Sequence, residues 1–342
     1  MPLLNKFRNI ALLSRSYHMK PQINSLANCL VDLRSDTVTK PCIGMRQAMK
    51  EADVGDDVFQ EDKTVLELEQ KMAEITQKDD GLFVLSGTMG NLLSILSHCG
   101  RRGAEIIVGN NSHIFTYEQA NIAQFGGVQP HTVETNSDGT FSIDALKSCI
   151  REDNFHLPTT ELICLENTHG NLGGKALPLK WLDEVAEFGK YHGLPIHVDG
   201  ARIFNASIAS QVPVSQLLRL DPVIVGNHQF IKKARRLRKA LGGAWRQGGI
   251  LAAAGIYSLE NNVAKLAKDH ENAKLIAKEE LCNRLSKVSE EENETLNQKI
   301  SVLALPFSSS HVRLVTHLDI GENEAKLALA KIQYVIEEYS RS

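Results

Sequence analysis

The apolar positions of this chain switch between helical and strand-like spacing. In the first such stretch, apolar residues recur at every third or fourth position: Val65, Leu68, Met72 and Ile75. A continuous apolar run at 82–85 follows and stops at Ser86-Gly87-Thr88. This succession predicts a helix, a strand and a turn, in that order.

The same alternation continues along the chain and predicts the fold class. After a helical stretch at 90–97, short β-type runs occur at 105–108, 162–165 and 196–198, and a helical stretch at 178–192 separates the last two. Strands that alternate with helices predict an α/β fold, with a mostly parallel sheet covered by helices on both faces. Ligands of such sheets bind beyond the carboxyl ends of the strands.

The C-terminal part of the chain has a different pattern. From about residue 258 the sequence is helical and charged, 300–305 and 312–316 are strand-like, and 322–339 has the spacing of an amphipathic helix. We therefore predict a large domain at 31–257 and a smaller C-terminal α+β domain at 258–342.

Residues 1–30 form a basic tail without any Asp or Glu. Acid-poor, amphipathic N-termini with Arg and Ser are typical of mitochondrial transit peptides, so the tail predicts a mitochondrial location. A disordered basic tail is the second interpretation. If translation began at Met19, the protein would be cytosolic.

Composition excludes several classes of protein. The 342 residues contain 38 Lys and Arg against 41 Asp and Glu, a net charge of −3, which argues against a general nucleic-acid binder. The six cysteines include no Cys-x-x-Cys pair and so predict neither a disulfide framework nor a zinc ribbon. No apolar run reaches the roughly 18 residues of a membrane-spanning helix. The composition predicts a globular protein of a reducing compartment.

Two polar segments follow predicted strands and are candidates for ligand binding. Ser86–Asn91 opens a helix, so backbone N–H groups and the Thr88 hydroxyl can converge on a phosphate; a turn that only needs small residues is the alternative. His197–Arg202 places Asp199 at the end of a buried strand. There Asp199 either pairs locally with Arg202 or pairs with a protonated ring nitrogen of a cofactor. Two ligand-type side chains are too few to predict a metal site.

A basic run at 232–239 is most simply a solvated helix face, and the alternatives are a phosphate site or a subunit contact. Small residues surround Trp245 and Arg246 in the following segment, 241–247, which predicts a close approach of its backbone to a neighbouring element.

Taken together, eight segments resemble the threonine aldolases in residues and in order. They are Asp32–Thr39, Gly55–Val58, Ser86–Asn91, His113–Phe115, Leu165–His169, His197–Arg202, Arg235–Gln247 and Arg313–His317. The resemblance implies a pyridoxal-phosphate (PLP) enzyme of fold type I, the aspartate-aminotransferase-like fold. It further implies retro-aldol cleavage of L-threonine or L-allo-threonine to glycine and an aldehyde, an amino-acid substrate, and a homo-oligomer, either dimer or tetramer.

The resemblance also implies which residues hold the cofactor. Gly87 and Thr88 match the turn that binds the PLP phosphate, and Arg246 matches an arginine of the phosphate site. His113 matches the residue that stacks on the pyridine ring, and Asp199 matches the carboxylate that pairs with the ring nitrogen.

Further positions match residues near the phenolic oxygen of the cofactor and near the substrate. Arg202 matches a residue beside that oxygen, while Ser35 and Arg313 match groups that bind the substrate carboxylate. His156 matches a second histidine near the substrate hydroxyl. The resemblance thus implies a catalytic set of His113, His156 and Asp199.

The chain departs from the family at the residue that anchors the cofactor. The family's Schiff-base lysine lies in a strand and Ser-Lys-Gly-Leu-Gly-type turn before the basic helix. Here 220–226 runs directly into that helix, and no Lys-Gly pair occurs in the chain. A second shortfall lies at 285–300. The Schiff-base lysine is therefore unidentified; Lys232 and Lys233 are the nearest substitutes, although they belong to the basic helix.

Loss of that strand predicts buried, unpaired N–H and C=O groups in the sheet unless the strands re-register. Two hypotheses about function stay open. The chain is either an active aldolase or a catalytically silent isoform or paralogue that pairs with a full-length subunit.

Overall fold

The computed structural model describes residues 29–218, 224–276, 285, 288, 290–306 and 312–341. Contacts divide the chain into two compact units, one of residues 41–266 and one of residues 1–40 together with 267–342. The predicted transit peptide lies outside the described residues. The two domains predicted at 31–257 and 258–342 stay predictions.

Strands and helices alternate along most of the chain. Ten strands lie within the described residues: β1 (Cys29–Asp32), β2 (Asp80–Gly81), β3 (Ala104–Gly109), β4 (Gln129–Val133), β5 (Thr159–Glu166), β6 (Ile196–Asp199), β7 (Val225–Gly226), β8 (Ile300–Leu303), β9 (Leu305–Pro306) and β10 (Val312–Arg313). The same part of the chain contains fourteen α-helices: α1 (Ile43–Glu51), α2 (Lys63–Thr76), α3 (Gly87–His98), α4 (His113–Thr116), α5 (Asn121–Gly126), α6 (Ile143–Cys149), α7 (Leu179–His192), α8 (Ile203–Ser210), α9 (Val214–Leu217), α10 (His228–Ala240), α11 (Gly249–Asn261), α12 (Leu266–Ile276), α13 (Glu290–Leu296) and α14 (Glu322–Arg341). None of these helices is both long and apolar enough to cross a bilayer.

A four-stranded parallel sheet forms the centre of the unit 41–266. Its strand order is β4-β3-β5-β6. Alternate residues face opposite sides, so Ile107 and Ile163 join one apolar core cluster, while Ile106 and Leu162 join another. The predicted α/β class and parallel sheet are confirmed.

Local signals fix the ends of the helices beside this sheet. The Ser86 side chain accepts from the Met89 N–H and begins α3. Helix α7 ends at His192 because Gly193 adopts φ +66°, as the glycine predicts. The apolar run 82–85 was predicted to be a strand and is not one. Strand β2 ends before it, and the Phe83 N–H donates to the Glu69 carboxylate at 2.8 Å rather than to a neighbouring strand.

The free edge of β6 carries unpaired main-chain groups. The carbonyls of Pro195 and Asp199 accept bonds of 3.1 and 3.0 Å from the β5 side. Since successive residues of a strand turn their main-chain groups to opposite edges, those of Ile196 and Val198 point away from β5. Val198 is fully buried, and no partner for these groups lies within the described residues. A strand lost beside β6 stays a prediction, and these are the groups with which such a strand would pair.

Strands β2 and β7 form a separate antiparallel ladder rather than continuing the parallel sheet. Directly before β7, Ile224 has φ +41°. A β-branched side chain is strained in this left-handed region. The strain lies where the resemblance predicts that a strand and its turn have been lost.

The other unit contains a smaller apolar core. Strand β1 pairs in parallel with β8, placing Val31 opposite Val302, and both are fully buried. Strands β9 and β10 form a short antiparallel pair, so the strand predicted at 312–316 is limited to two residues. Helix α14 carries Ala328 and Ile332 into this core, as its amphipathic pattern predicts.

Candidate active site

Two carboxylates lie together at the carboxyl edge of the sheet. Glu166 and Asp199 are in register at the ends of β5 and β6. The Glu166 carboxylate accepts from the main-chain N–H groups of His113, at 2.7 Å, and Gly170, at 2.8 Å. Asp199 Oδ1 accepts from the Ala201 N–H at 3.1 Å. Parallel pairing thus places two acids where α/β sheets bind their ligands.

A buried asparagine joins Asp199 to a third carboxylate. Asn91 Nδ2, in the second turn of α3, donates to Asp199 Oδ2 at 2.9 Å and to Glu118 Oε1 at 2.8 Å. Because both carboxylates are acceptors, the amide NH₂ must face them. Asn91 Oδ1 therefore accepts from His197 Nε2, 2.9 Å away, which fixes the protonated ring nitrogen of that histidine.

His113 begins α4 and lies against the same group of acids. Its Nδ1 is 3.0 Å from Glu118 Oε1, and its side chain is 41% exposed while that of Glu118 is fully buried. A ring nitrogen of His113 and carboxylate oxygens of Glu118 and Asp199 all lie within 4.8 Å of one another. The structure therefore brings together His113 and Asp199, two residues that the sequence assigned to the cofactor ring.

Burial and neighbouring charges set the protonation of this group. The bond to Glu118 raises the pKa of His113 above its usual 6.5, and the negative charges of Asp199 and Glu166 act in the same direction. Burial raises the pKa of Asp199 above its usual value. Burial also lowers the pKa of His197 to about 3, so this ring is neutral. A cation beside Asp199 would stabilise its ionised form.

The predicted phosphate turn is open to solvent. Gly87 and Thr88 are exposed in the first turn of α3. A Cβ built on Gly87 meets nothing within 4 Å. The free N–H groups and the dipole at this helix N-terminus favour an anion such as a phosphate.

The 241–247 segment approaches this turn closely. A Cβ on Gly243 would lie 2.5 Å from Met89 Sδ, in the first turn of α3, so the close backbone approach predicted from the small residues is present. Arg246 Nη1 donates to Asp56 at 2.6 Å, and the Asp57 N–H donates to the Arg246 carbonyl at 2.8 Å. Asp56 and Asp57 thereby fix the position of Arg246.

The basic run 232–239 is partly the solvated helix face that its charges suggested, but two of its arginines bind internal carboxylates. Its exposed basic residues are Lys232, Lys233, Arg236 and Lys239. Arg238 is buried and pairs with buried Asp57, and its Nη1 donates to the Phe83 carbonyl at 2.6 Å. Arg235 pairs with Glu69 at 2.8 Å. Charge alone could not reveal these internal acceptors, which lie far away in sequence.

The two substitute lysines do not point to the acids. Lys233 donates to the carbonyl of Ser97, at the C-terminal end of α3. That end lies about 16 Å from the Gly87–Thr88 turn by helix geometry. Lys232 lines an open groove with Glu69 and Asp80. The structure therefore gives neither lysine a place beside Asp199.

The remaining predicted residues lie elsewhere. Arg202 reaches the Glu166 corner, since a Cβ on Gly170 would be 3.7 Å from its Nη1. His156 is exposed in the loop that precedes β5, at the opposite edge of the sheet, and is not brought to the acids. Ser35 caps a 3₁₀ turn in the other unit, and Arg313 belongs to β10 there. The roles of these residues stay predictions.

Sequence reasoning assigned no role to Asn91, Glu118 or Glu166. Asn91 and Glu166 belong to segments that carried the resemblance, so the sequence could have marked them as site residues. Their contacts could not be predicted from it. Glu118 lies five residues beyond His113, in a loop without periodicity, and no sequence pattern marked it.

Several known proteins are similar to this chain over most of its length. The family described as beta-eliminating lyase matches residues 32–222 and 220–302, in two pieces that meet before β7. The probable low-specificity L-threonine aldolase 2 of Arabidopsis thaliana is 42% identical over 341 residues, 88% of this chain and 95% of that protein. The low specificity L-threonine aldolase of Escherichia coli K12 is 40% identical over 323 residues, 86% of this chain and 96% of that protein.

A solved structure shares the fold. The threonine aldolase of Leishmania major superposes with a TM-score of 0.73 at 17% sequence identity, over 90% of this chain and 99% of that one.

Proposed function

Because the chain belongs to the threonine aldolases of the beta-eliminating lyase family, we propose that it cleaves L-threonine or L-allo-threonine to glycine and acetaldehyde with PLP. The observation that carries this proposal is the buried Asp199 beside the half-exposed ring of His113 at the carboxyl edge of the sheet. Bound PLP supplies an electron sink for the electron pair of the broken carbon–carbon bond.

The residues of the site fit a cofactor with a phosphate at one end and a basic ring nitrogen at the other. Gly87 and Thr88 offer an open helix N-terminus to the phosphate. Burial raises the pKa of Asp199, so a cationic partner such as a protonated ring nitrogen would stabilise its ionised form. No residue of this set is a lysine, so we propose that the chain holds the cofactor without a covalent bond.

His113 is the group best placed to move a proton at the substrate. Glu118 engages Nδ1, which leaves Nε2 to accept the proton of the β-hydroxyl. Only the neutral ring can accept it, and Glu118 raises the pKa of His113. We therefore expect the rate of threonine cleavage to rise with pH through a midpoint above the usual 6.5 for histidine. A pH–rate profile with its rising limb below that value would contradict this role.

Removing the charge of Asp199 should weaken the binding of PLP, because the protonated ring nitrogen of the cofactor loses its partner. We expect Asp199→Asn to lower the affinity for PLP by about 10- to 100-fold, the equivalent of one charged hydrogen bond of about 1.5–3 kcal/mol. Equilibrium dialysis with absorbance detection measures this directly. Asp144→Asn, an exposed acid on α6, is the matched control and should bind like the unaltered chain. Equal affinity of both variants would refute the proposed place of the ring nitrogen.

A second candidate function is that of a non-catalytic subunit. The position of Lys233 favours it, because this lysine, which follows the segment that the resemblance predicts to be lost, donates to the Ser97 carbonyl rather than lying beside Asp199. Acetaldehyde release from L-threonine and L-allo-threonine by the purified, PLP-loaded chain separates the two. Release above the free-cofactor background supports the aldolase. No release by the chain alone, together with a changed rate when it is mixed with a full-length aldolase compared with that aldolase alone, supports the silent subunit.

Assembly and location are proposals as well. We propose a homo-oligomer, which analytical ultracentrifugation of the purified chain tests; a monomer at micromolar concentration would contradict it. The acid-poor tail supports a mitochondrial location, with a cytosolic protein translated from Met19 as the alternative. N-terminal sequencing of the protein from fractionated cells distinguishes them.

A further inference from the structure

A buried amide–carboxylate bridge lies behind the two residues that would contact the cofactor. Glu118 Oε1 faces both His113 Nδ1, at 3.0 Å, and Asn91 Nδ2, at 2.8 Å. Its other oxygen accepts from Asn121 Nδ2 at 3.2 Å. The Glu118 side chain is fully buried, so it touches neither solvent nor, by its position behind His113, a bound ligand.

The bridge continues through Asn91 to Asp199. Asn91 is 1% exposed, and while its NH₂ group donates to both carboxylates its oxygen accepts from His197. Removing this amide would leave Glu118 and Asp199 facing each other without a donor between them. Two buried carboxylates so close repel, and one of them must then move or take up a proton.

We infer that Glu118 and Asn91 are the positioning residues of this site, and that their bridge fixes the ring of His113 and the carboxylate of Asp199 relative to each other. Its catalytic consequence rests on the proposed function, but its geometry does not. The bridge holds Nδ1 of His113 toward the interior, so that Nε2 faces outward. The Asn91 amide also donates a hydrogen bond to Asp199 Oδ2 and carries no charge of its own.

Charges on three elements face His113. They are Glu118 in the loop after α4, Asp199 at the end of β6 and Glu166 at the end of β5. The Tyr117 ring lies 5.6 Å away from the imidazole. Only Glu118 bonds to the ring itself, so Glu118 should dominate the response of His113 to pH.

Glu118→Gln keeps the shape and an acceptor oxygen but removes the charge. We expect the titration midpoint of His113 to fall by about one pH unit, which is the usual scale for loss of one close opposite charge. The chemical shifts of the imidazole, followed by NMR on histidine-labelled full-length chain and assigned with His113→Asn, report this midpoint and the protonated nitrogen. Glu118→Asp keeps the negative charge, so its His113 midpoint should lie between those of Glu118→Gln and the unaltered chain.

A matched control exists in the same sheet. Glu105, on β3, is also fully buried and faces His131 Nδ1 at 3.2 Å. Glu105→Gln should leave the midpoint of His113 unchanged. If Glu118→Gln leaves His113 unchanged in a protein with native circular dichroism, or if Glu105→Gln moves it equally, the inference is overturned.

Asn91→Leu gives an independent test of the second half of the bridge. We expect its His113 midpoint to shift, because Glu118 and Asp199 lose the donor between them and one of these carboxylates then moves or takes up a proton. An unchanged midpoint in the folded variant would contradict the bridge. None of these titrations needs PLP or turnover, so a chain that titrates as expected but neither binds PLP nor cleaves threonine would refute the proposed function alone.

Discussion

Insertion of a strand that ends in Ser-Lys-Gly-Leu-Gly after Leu220 is expected to raise the thermal midpoint of this chain and to create covalent retention of PLP. The inserted strand would pair with the N–H and C=O groups of Ile196 and Val198, which have no partner within the described residues. Each buried unpaired group costs about 1–3 kcal/mol. The inserted strand would also release Ile224 from its strained φ of +41°.

The expected rise in the thermal midpoint is of the order of 5–10 °C, since about 1 kcal/mol corresponds to roughly 2–4 °C in a domain of this size. Differential scanning calorimetry measures it. The matched control carries the same insertion with Ala in place of Lys, and it should gain the same stability without retaining PLP covalently. If neither insertion raises the midpoint, the β6 edge is satisfied in some other way.

Threonine cleavage should also be faster in the lysine-containing insertion than in its alanine control, which should keep the rate of the unaltered chain. Acetaldehyde release measures this activity. A stabilised, covalently loaded but inactive protein would show that the lysine segment is not the only defect, and would direct attention to the shortfall predicted at 285–300.

Removal of the Arg238 guanidinium is expected to destabilise the chain by about 3–5 kcal/mol, the usual cost of leaving one buried partner of an ion pair uncompensated. Arg238 and Asp57 are only 5% and 3% exposed. The Phe83 carbonyl would lose its donor in the same variant. Chemical denaturation of Arg238→Leu measures the loss.

Two controls isolate the buried pair. Arg101, 63% exposed and paired with Glu161, should cost at most about 1 kcal/mol when replaced by Leu. The double variant Asp57→Leu/Arg238→Leu should lose less stability than Arg238→Leu alone, because no charge stays buried without a partner. A single variant as stable as the unaltered chain would show that Asp57 is hydrated.

The sequence was sufficient for the centre of the fold because its signals are local. The apolar runs within β3, β5 and β6, and Gly193 at the end of α7, depend on neighbouring residues alone. The run 82–85 failed as a strand because a strand needs a partner along its edge, and no pattern in the run itself reports whether that partner is present.

The candidate site was predictable where the resemblance supplied residues in a fixed order. His113 and Asp199 were assigned in this way, and the fold brings them together. Glu118 and the acceptors of Arg238 were not predictable, since their roles arise from contacts across 27 and 181 positions of sequence. Such pairings are fixed by the packing of the sheet and helices rather than by spacing.

The central proposal is that PLP binds beside Asp199 and His113 without a covalent bond to a lysine. Borohydride reduction of the purified protein with PLP, followed by peptide mapping, tests this most directly. The account predicts PLP that is retained on dialysis before reduction, yet no single lysine-containing peptide that carries a stoichiometric pyridoxyl group. Stoichiometric labelling of Lys232, Lys233 or any other single lysine would contradict it and establish a relocated anchor.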